Sequence, residues 1–87
     1  LVNHVYPGAS LMDEARKLAR HLAGGPPLVF AAIKEIVREA EDMTFQDAMN
    51  RITKRQFETV DRLYSSEDNR EGYTAFAEGR DPVWKGR

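Results

Sequence analysis

Apolar residues recur along this chain at three- and four-residue intervals, and pairs of glycine, proline or serine interrupt them. Leu11, Ala15, Leu18 and Leu22 form one such series, which lies along a single stripe of a helix. Ser10 stands ahead of it with Asp13 three residues on, a pattern that supplies acceptors to unpaired N–H groups at a helix start. Gly24-Gly25 predicts its end. Pro26 and Pro27 suit the first turn of a second helix, where their missing N–H is not needed, and Val29, Ile33, Ile36, Val37 and Ala40 follow at helical spacing to about Glu41.

Asp42 and Met43 form a short linker before Thr44, which has Asp47 three residues on, so a third helix starts there with Phe45, Met49 and Ile52 on one face. Phe57, Val60 and Tyr64 continue that face only after a five-residue step, which predicts a helix that curves or rotates near Lys54 to Gln56. Ser65-Ser66 is the next cap. Glu67 and Asp68 put negative charge at the positive end of a fourth helix spanning about Glu67 to Glu78, with Tyr73, Phe76 and Ala77 as its apolar stripe. Gly79 and Pro82 stop it, leaving a non-helical tail through Arg87. Leu1 to Tyr6, with β-branched Val2 and Val5 ahead of Pro7-Gly8, reads as a short extended piece. The predicted fold is all-α, with about four amphipathic helices.

The bulk numbers narrow the partners. An 87-residue chain builds a thin core, burying only about two-thirds of the surface its unfolded form exposes, so packing beyond the chain is expected. Thirteen basic against fourteen acidic residues give a net charge of −1, which leaves no broad positive field to attract nucleic acid or anionic lipid. There is no cysteine to form a disulfide or thiolate metal site, and His4 and His21 cannot close a zinc site alone. The apolar run at Val29 to Ile33 is far too short to span a membrane. These features fit a cytoplasmic protein with neither a nucleic-acid nor a membrane partner.

Candidate chemistry is sparse. Glu35, Glu39, Glu41 and Asp42 occupy positions expected to face solvent, not a shared acid–base pocket. Capping accounts for Ser65 and Ser66, and a structural role is assigned to each histidine. Gly24-Gly25-Pro26-Pro27 has glycines ahead of a helix, but its prolines remove donors a phosphate cradle needs. Tyr73 and Phe76, with Arg70 and Arg80 nearby, offer flat apolar faces and guanidinium groups suited to a nucleotide ring and phosphate. Their spacing alone assigns the two aromatics to core packing. Trp84 beside Lys85 either plugs a neighbouring groove or packs on its own domain.

Several blocks nevertheless occur in an order shared with a known family. Leu1-Val2-Asn3-His4-Val5-Tyr6-Pro7 is similar to a strand-to-turn exit from a catalytic domain, and His21-Leu22-Ala23 to the end of the helix that follows it. Pro26-Pro27-Leu28 with Ile33-Lys34-Glu35 matches the next helix. Ser66-Glu67-Asp68-Asn69-Arg70-Glu71-Gly72, continuing through Ala75-Phe76-Ala77-Glu78 to Arg80, is the most specific block. Over nearly its whole length the chain resembles the C-terminal region of the crotonase superfamily of enoyl-CoA hydratases and isomerases. Its ending, Arg80-Asp81-Pro82-Val83-Trp84-Lys85-Gly86-Arg87, is most similar to the carnitinyl-CoA dehydratase branch.

The resemblance implies that residues 1–9 leave a catalytic core, 10–64 form a three-helix segment, and 65–87 form the terminal helix and tail. Family members hydrate an enoyl thioester with acidic residues and a backbone oxyanion hole in an upstream α/β spiral domain, so this segment is expected to hold no catalytic residue and to be inactive alone. It also implies a homo-oligomer, a trimer or dimer of trimers, whose terminal helix completes a CoA site. CoA enters as the thioester substrate, with no cofactor and no metal. Phe76 aligns with the family phenylalanine that contacts the adenine of CoA. Three residues later some members carry a lysine directed at the CoA phosphates, where this chain has Gly79; Arg80 is the candidate replacement. The rival reading is a stand-alone helical module that binds acyl-CoA or another protein.

Overall fold

The computed structural model describes all of residues 1–87 and contains five helices and no strand: α1 (Gly8–Ala23), α2 (Pro27–Ala40), α3 (Phe45–Thr53), α4 (Glu58–Tyr64) and α5 (Glu67–Glu78). The all-α expectation holds, with one more helix than the hydrophobic pattern predicts. The extra one comes from a break at residues 54–57. A five-residue step at about 100° per residue swings Phe57 off the face carrying Phe45, Met49 and Ile52. The chain leaves the helix instead of curving: Arg55 adopts a left-handed φ of 51°, and the Gln56 N–H reaches back to the Arg51 carbonyl at 2.9 Å. Phe57 thereby turns inward and is 1% exposed.

Phe57 centres a small core with Ala32 of α2 and Val60 of α4, and Ile36, Ile52 and Leu63 pack around it. Leu63, not Tyr64, carries the inward position at the end of α4, while Tyr64 lies under the Arg55 guanidinium, 4.3 Å from the ring centroid. Glu35, assigned to solvent by its spacing, is half-buried. Its carboxylate accepts the Thr59 N–H at 2.9 Å and the Thr59 hydroxyl, so α2 caps the start of α4. Those bonds hold the Glu35 carboxyl below the usual carboxylate range.

Caps of α3 and α5 sit where the sequence places them. The Thr44 hydroxyl oxygen accepts from the Asp47 N–H at 3.1 Å, and Ser66 accepts from the Asn69 N–H at 3.0 Å. Gly79 closes α5 with a φ of 66°, a left-handed conformation in which a Cβ is strained. Ser10 is not a cap. Helix α1 begins two residues earlier, where the Pro7 carbonyl accepts from Ser10 N–H at 3.0 Å and Leu11 N–H at 3.1 Å, while the Ser10 hydroxyl donates to that same carbonyl. Asp13 pairs instead with Arg16 one turn on.

Two predicted stripes do not face the core. Helix α1 buries no residue, and Leu11, Leu18 and Leu22 are each at least half exposed. On α5 the inward residues are Asp68, Gly72 and Ala75, at spacings of four and three, whereas Tyr73 and Phe76 point outward. Asp68 is buried, and Gly72 is covered, because the chain end folds back across this face.

Candidate functional site

Residues 80–87 turn back along α5, where two carboxylates, Asp68 and Glu71, hold the tail backbone. Asp68, 2% exposed, accepts the Lys85 N–H through Oδ1 at 2.7 Å and the Gly86 N–H through Oδ2 at 2.8 Å, while its own N–H donates to the Arg87 carbonyl at 3.0 Å. Gly86 meets this geometry with a φ of 74°. Glu71 accepts a two-pronged pair from the Arg80 guanidinium at 2.6 and 3.0 Å and the Val83 N–H at 2.9 Å. Hydrogen bonding from Arg80, then from the Val83 backbone, pulls the Glu71 carboxyl down to about 2. Lys85 and Arg87 both reach Glu67 at 3.4 Å and hold its carboxyl low as well.

This fold-back places the half-buried Trp84 over Gly72, where an added Cβ would lie 3.4 Å from the indole. The indole then forms one side of an apolar groove of about 480 Å³, with Pro26, Leu28 and Val29 of the α2 start, Leu63 of α4, and Tyr73 and Phe76 of α5. Phe76 stands at its edge, 90% exposed. An aromatic ring so open, beside a groove with apolar walls, is suited to stacking on a flat ring and covering apolar surface.

Arg80 lies elsewhere. It borders a separate, charged groove of about 570 Å³ with Glu67, Arg70, Glu71 and Lys85. Its guanidinium is engaged by Glu71 and, at 2.6 Å, by Glu78. Phe76 and Arg80 thus line different grooves. The sequence reading that assigns Tyr73 and Phe76 to the core is corrected, since both project outward. Trp84 packs on its own chain. Neither carboxylate is marked by its sequence neighbours: Asp68 fits the helix dipole in the first turn without further cause, and its Lys85-Gly86 donors lie 17 and 18 residues downstream, while those of Glu71, Arg80 and Val83, lie 9 and 12 downstream.

The histidines border a third groove, with Tyr6, Glu14 and Lys17; the His4 and Tyr6 rings are 5.8 Å apart. No three His, Cys, Asp or Glu side chains come together so as to hold a metal ion. No helix is long and apolar enough to cross a membrane.

The family model for enoyl-CoA hydratase/isomerase matches residues 1–87, the whole chain. This chain belongs to the enoyl-CoA hydratase/isomerase family. Within it, the chain is 46% identical over 87 residues to the carnitinyl-CoA dehydratases of Escherichia coli (strain K12) and Shigella flexneri, covering all of this chain and 33% of each relative. Among solved structures it is similar to enoyl-CoA hydratase subunit I from Geobacillus kaustophilus HTA426, with a TM-score of 0.84 and 38% identity over 99% of this chain and 32% of that one. The chain therefore spans about a third of the length of the relatives it matches.

Proposed function

We propose that this chain serves as the C-terminal oligomerisation and CoA-site-completing segment of an acyl-CoA hydratase, a cytoplasmic enzyme that reversibly hydrates an enoyl-CoA such as crotonobetainyl-CoA. The observation that carries the proposal is Phe76: a large aromatic ring, 90% exposed, at the rim of an apolar groove on the helix that most resembles the family's terminal one. In this reading Phe76 stacks on the adenine of the CoA thioester. Arg80 contributes by ordering the chain end through Glu71 and Glu78. The exposed leucines of α1 cover a surface of the parent enzyme or of a second subunit. The family membership and the carnitinyl-CoA dehydratase relatives support the acyl-CoA class of substrate.

The test measures loss of enoyl-thioester absorbance with crotonyl-CoA and crotonobetainyl-CoA, using this 87-residue chain and the longest protein its gene encodes. Turnover by only the longer protein is expected. In that protein Phe76→Ala should raise KM for the thioester with little change in kcat, the pattern of lost binding that is equal in ground and transition states. An unchanged KM with normal assembly would sink the CoA assignment. Turnover by the short chain alone would move catalysis into these residues.

A further inference from the structure

The apolar groove beside Phe76 has one wall that no helix supplies. Trp84 belongs to a tail with no secondary structure of its own, and an unsupported tail loses its place to chain entropy. What opposes that loss is the pair of carboxylates on α5. Asp68 is the only polar side chain among the six buried residues. A carboxylate so placed is costly unless its oxygens are bonded, and both are, each by a backbone N–H of the tail. Three residues on, Glu71 fixes the other side of Trp84 through Val83 N–H and Arg80. The indole is held between the two clamps, against the bare backbone of Gly72.

We propose that Asp68 and Glu71 are positioning residues for ligand binding: by clamping residues 80–87 they hold Trp84 as the movable wall of the Phe76 groove, so that tail docking and ligand occupancy are coupled. This rests on the reading of that groove as a CoA-thioester site. A ligand that touches Trp84 binds the docked form, and its apparent affinity falls in proportion to the fraction of molecules whose tail is docked. Occupancy in turn protects the tail, because coupling between the two equilibria is reciprocal.

The test uses the longest protein the gene encodes, with hydrogen exchange followed by mass spectrometry over residues 80–87 and KM measured with crotonyl-CoA. Asp68→Asn and Glu71→Gln should each speed exchange of the tail amides by roughly tenfold or more, the consequence of losing bonds to a charged acceptor. KM should rise by about 3- to 10-fold with kcat little changed, the sign of reduced ligand binding. Crotonyl-CoA should slow tail exchange in the unmodified protein. Trp84→Ala, which removes the wall and leaves both carboxylates in place, should raise KM even if an Asp68 variant folds poorly. Faster tail exchange with an unmoved KM overturns the coupling, as does an unmoved KM in Trp84→Ala. Unchanged tail exchange in both carboxylate variants overturns the clamp. Phe76→Ala separates the two claims: if it too leaves KM unmoved, the CoA reading fails, whereas a KM raised by Phe76→Ala but not by Trp84→Ala sinks this inference alone.

Discussion

At the scale of single residues, the tail is organised by carboxylates that prefer to stay ionised. Glu71 has its carboxyl lowered from 4.5 to about 2, first by the Arg80 guanidinium and then by the Val83 N–H. A folded-state value below the unfolded one stabilises the folded form at pH above 4.5, and that contribution disappears as pH falls through about 2. Glu67, lowered by Lys85 and Arg87, acts with the same sign. Tail docking should therefore be insensitive to pH between 7 and 5 and weaken progressively below 4.5. Fluorescence of Trp84, the single tryptophan of the chain, reports it. In Glu71→Gln the emission should already be that of a more exposed indole at neutral pH, with a smaller change on acidification. A tail that releases between pH 7 and 5 would show that some other group controls it.

At the scale of elements, the starts of α3 and α5 are the most legible features, because a side-chain cap is written in four consecutive residues. Thr44 with Asp47 is a reciprocal cap: the threonine oxygen accepts the Asp47 N–H, and its hydroxyl donates to the Asp47 carboxylate at 2.6 Å. Thr44→Ala should cost about 1 kcal/mol, lowering Tm by roughly 4–8 °C in a chain of this size. Ser10→Ala removes no cap and should stay within about 0.5 kcal/mol, as surface changes usually do. Equal losses in thermal melts would show that local capping does not set these boundaries. Facing is less legible than these caps. The inward side of α5 consists of Asp68, Gly72 and Ala75, which no hydrophobic stripe identifies: tail hydrogen bonds bury Asp68, and Trp84 lies against Gly72. The break before Phe57 shows as a slipped register in the sequence, yet whether the chain curves or leaves the helix depends on α2 waiting to receive Phe57. The candidate site divides similarly. Phe76 was reached through its resemblance to a known helix, whereas its groove exists only once Trp84 folds back.

At the scale of the whole molecule, the chain is too open to be satisfied by its own contacts. Its radius of gyration is 16.4 Å, where a compact chain of this length has about 12 Å. Its accessible surface is 7208 Å² at 9.9 kDa, about 2,000 Å² above that of a typical folded monomer of that mass. A standard protein interface removes only about 800 Å² from each partner, so the surplus exceeds what one such interface would cover. The surplus is not spread evenly, since α1 contributes Leu11, Leu18 and Leu22 to one face and nothing to the core. In the absence of other surfaces, copies of the chain should cover that face for one another. Light scattering of the 87-residue chain is therefore expected to show self-association that persists in high salt, because apolar burial is not screened, and that weakens on cooling. Leu18→Lys, placing a charge mid-stripe, should shift the population towards monomer without reducing helix content, since Leu18 makes no part of the core. A well-folded, strictly monomeric species in the unmodified chain would mean that α1 repacks onto its own α2–α4 core, and the interface reading of this helix would fall with it.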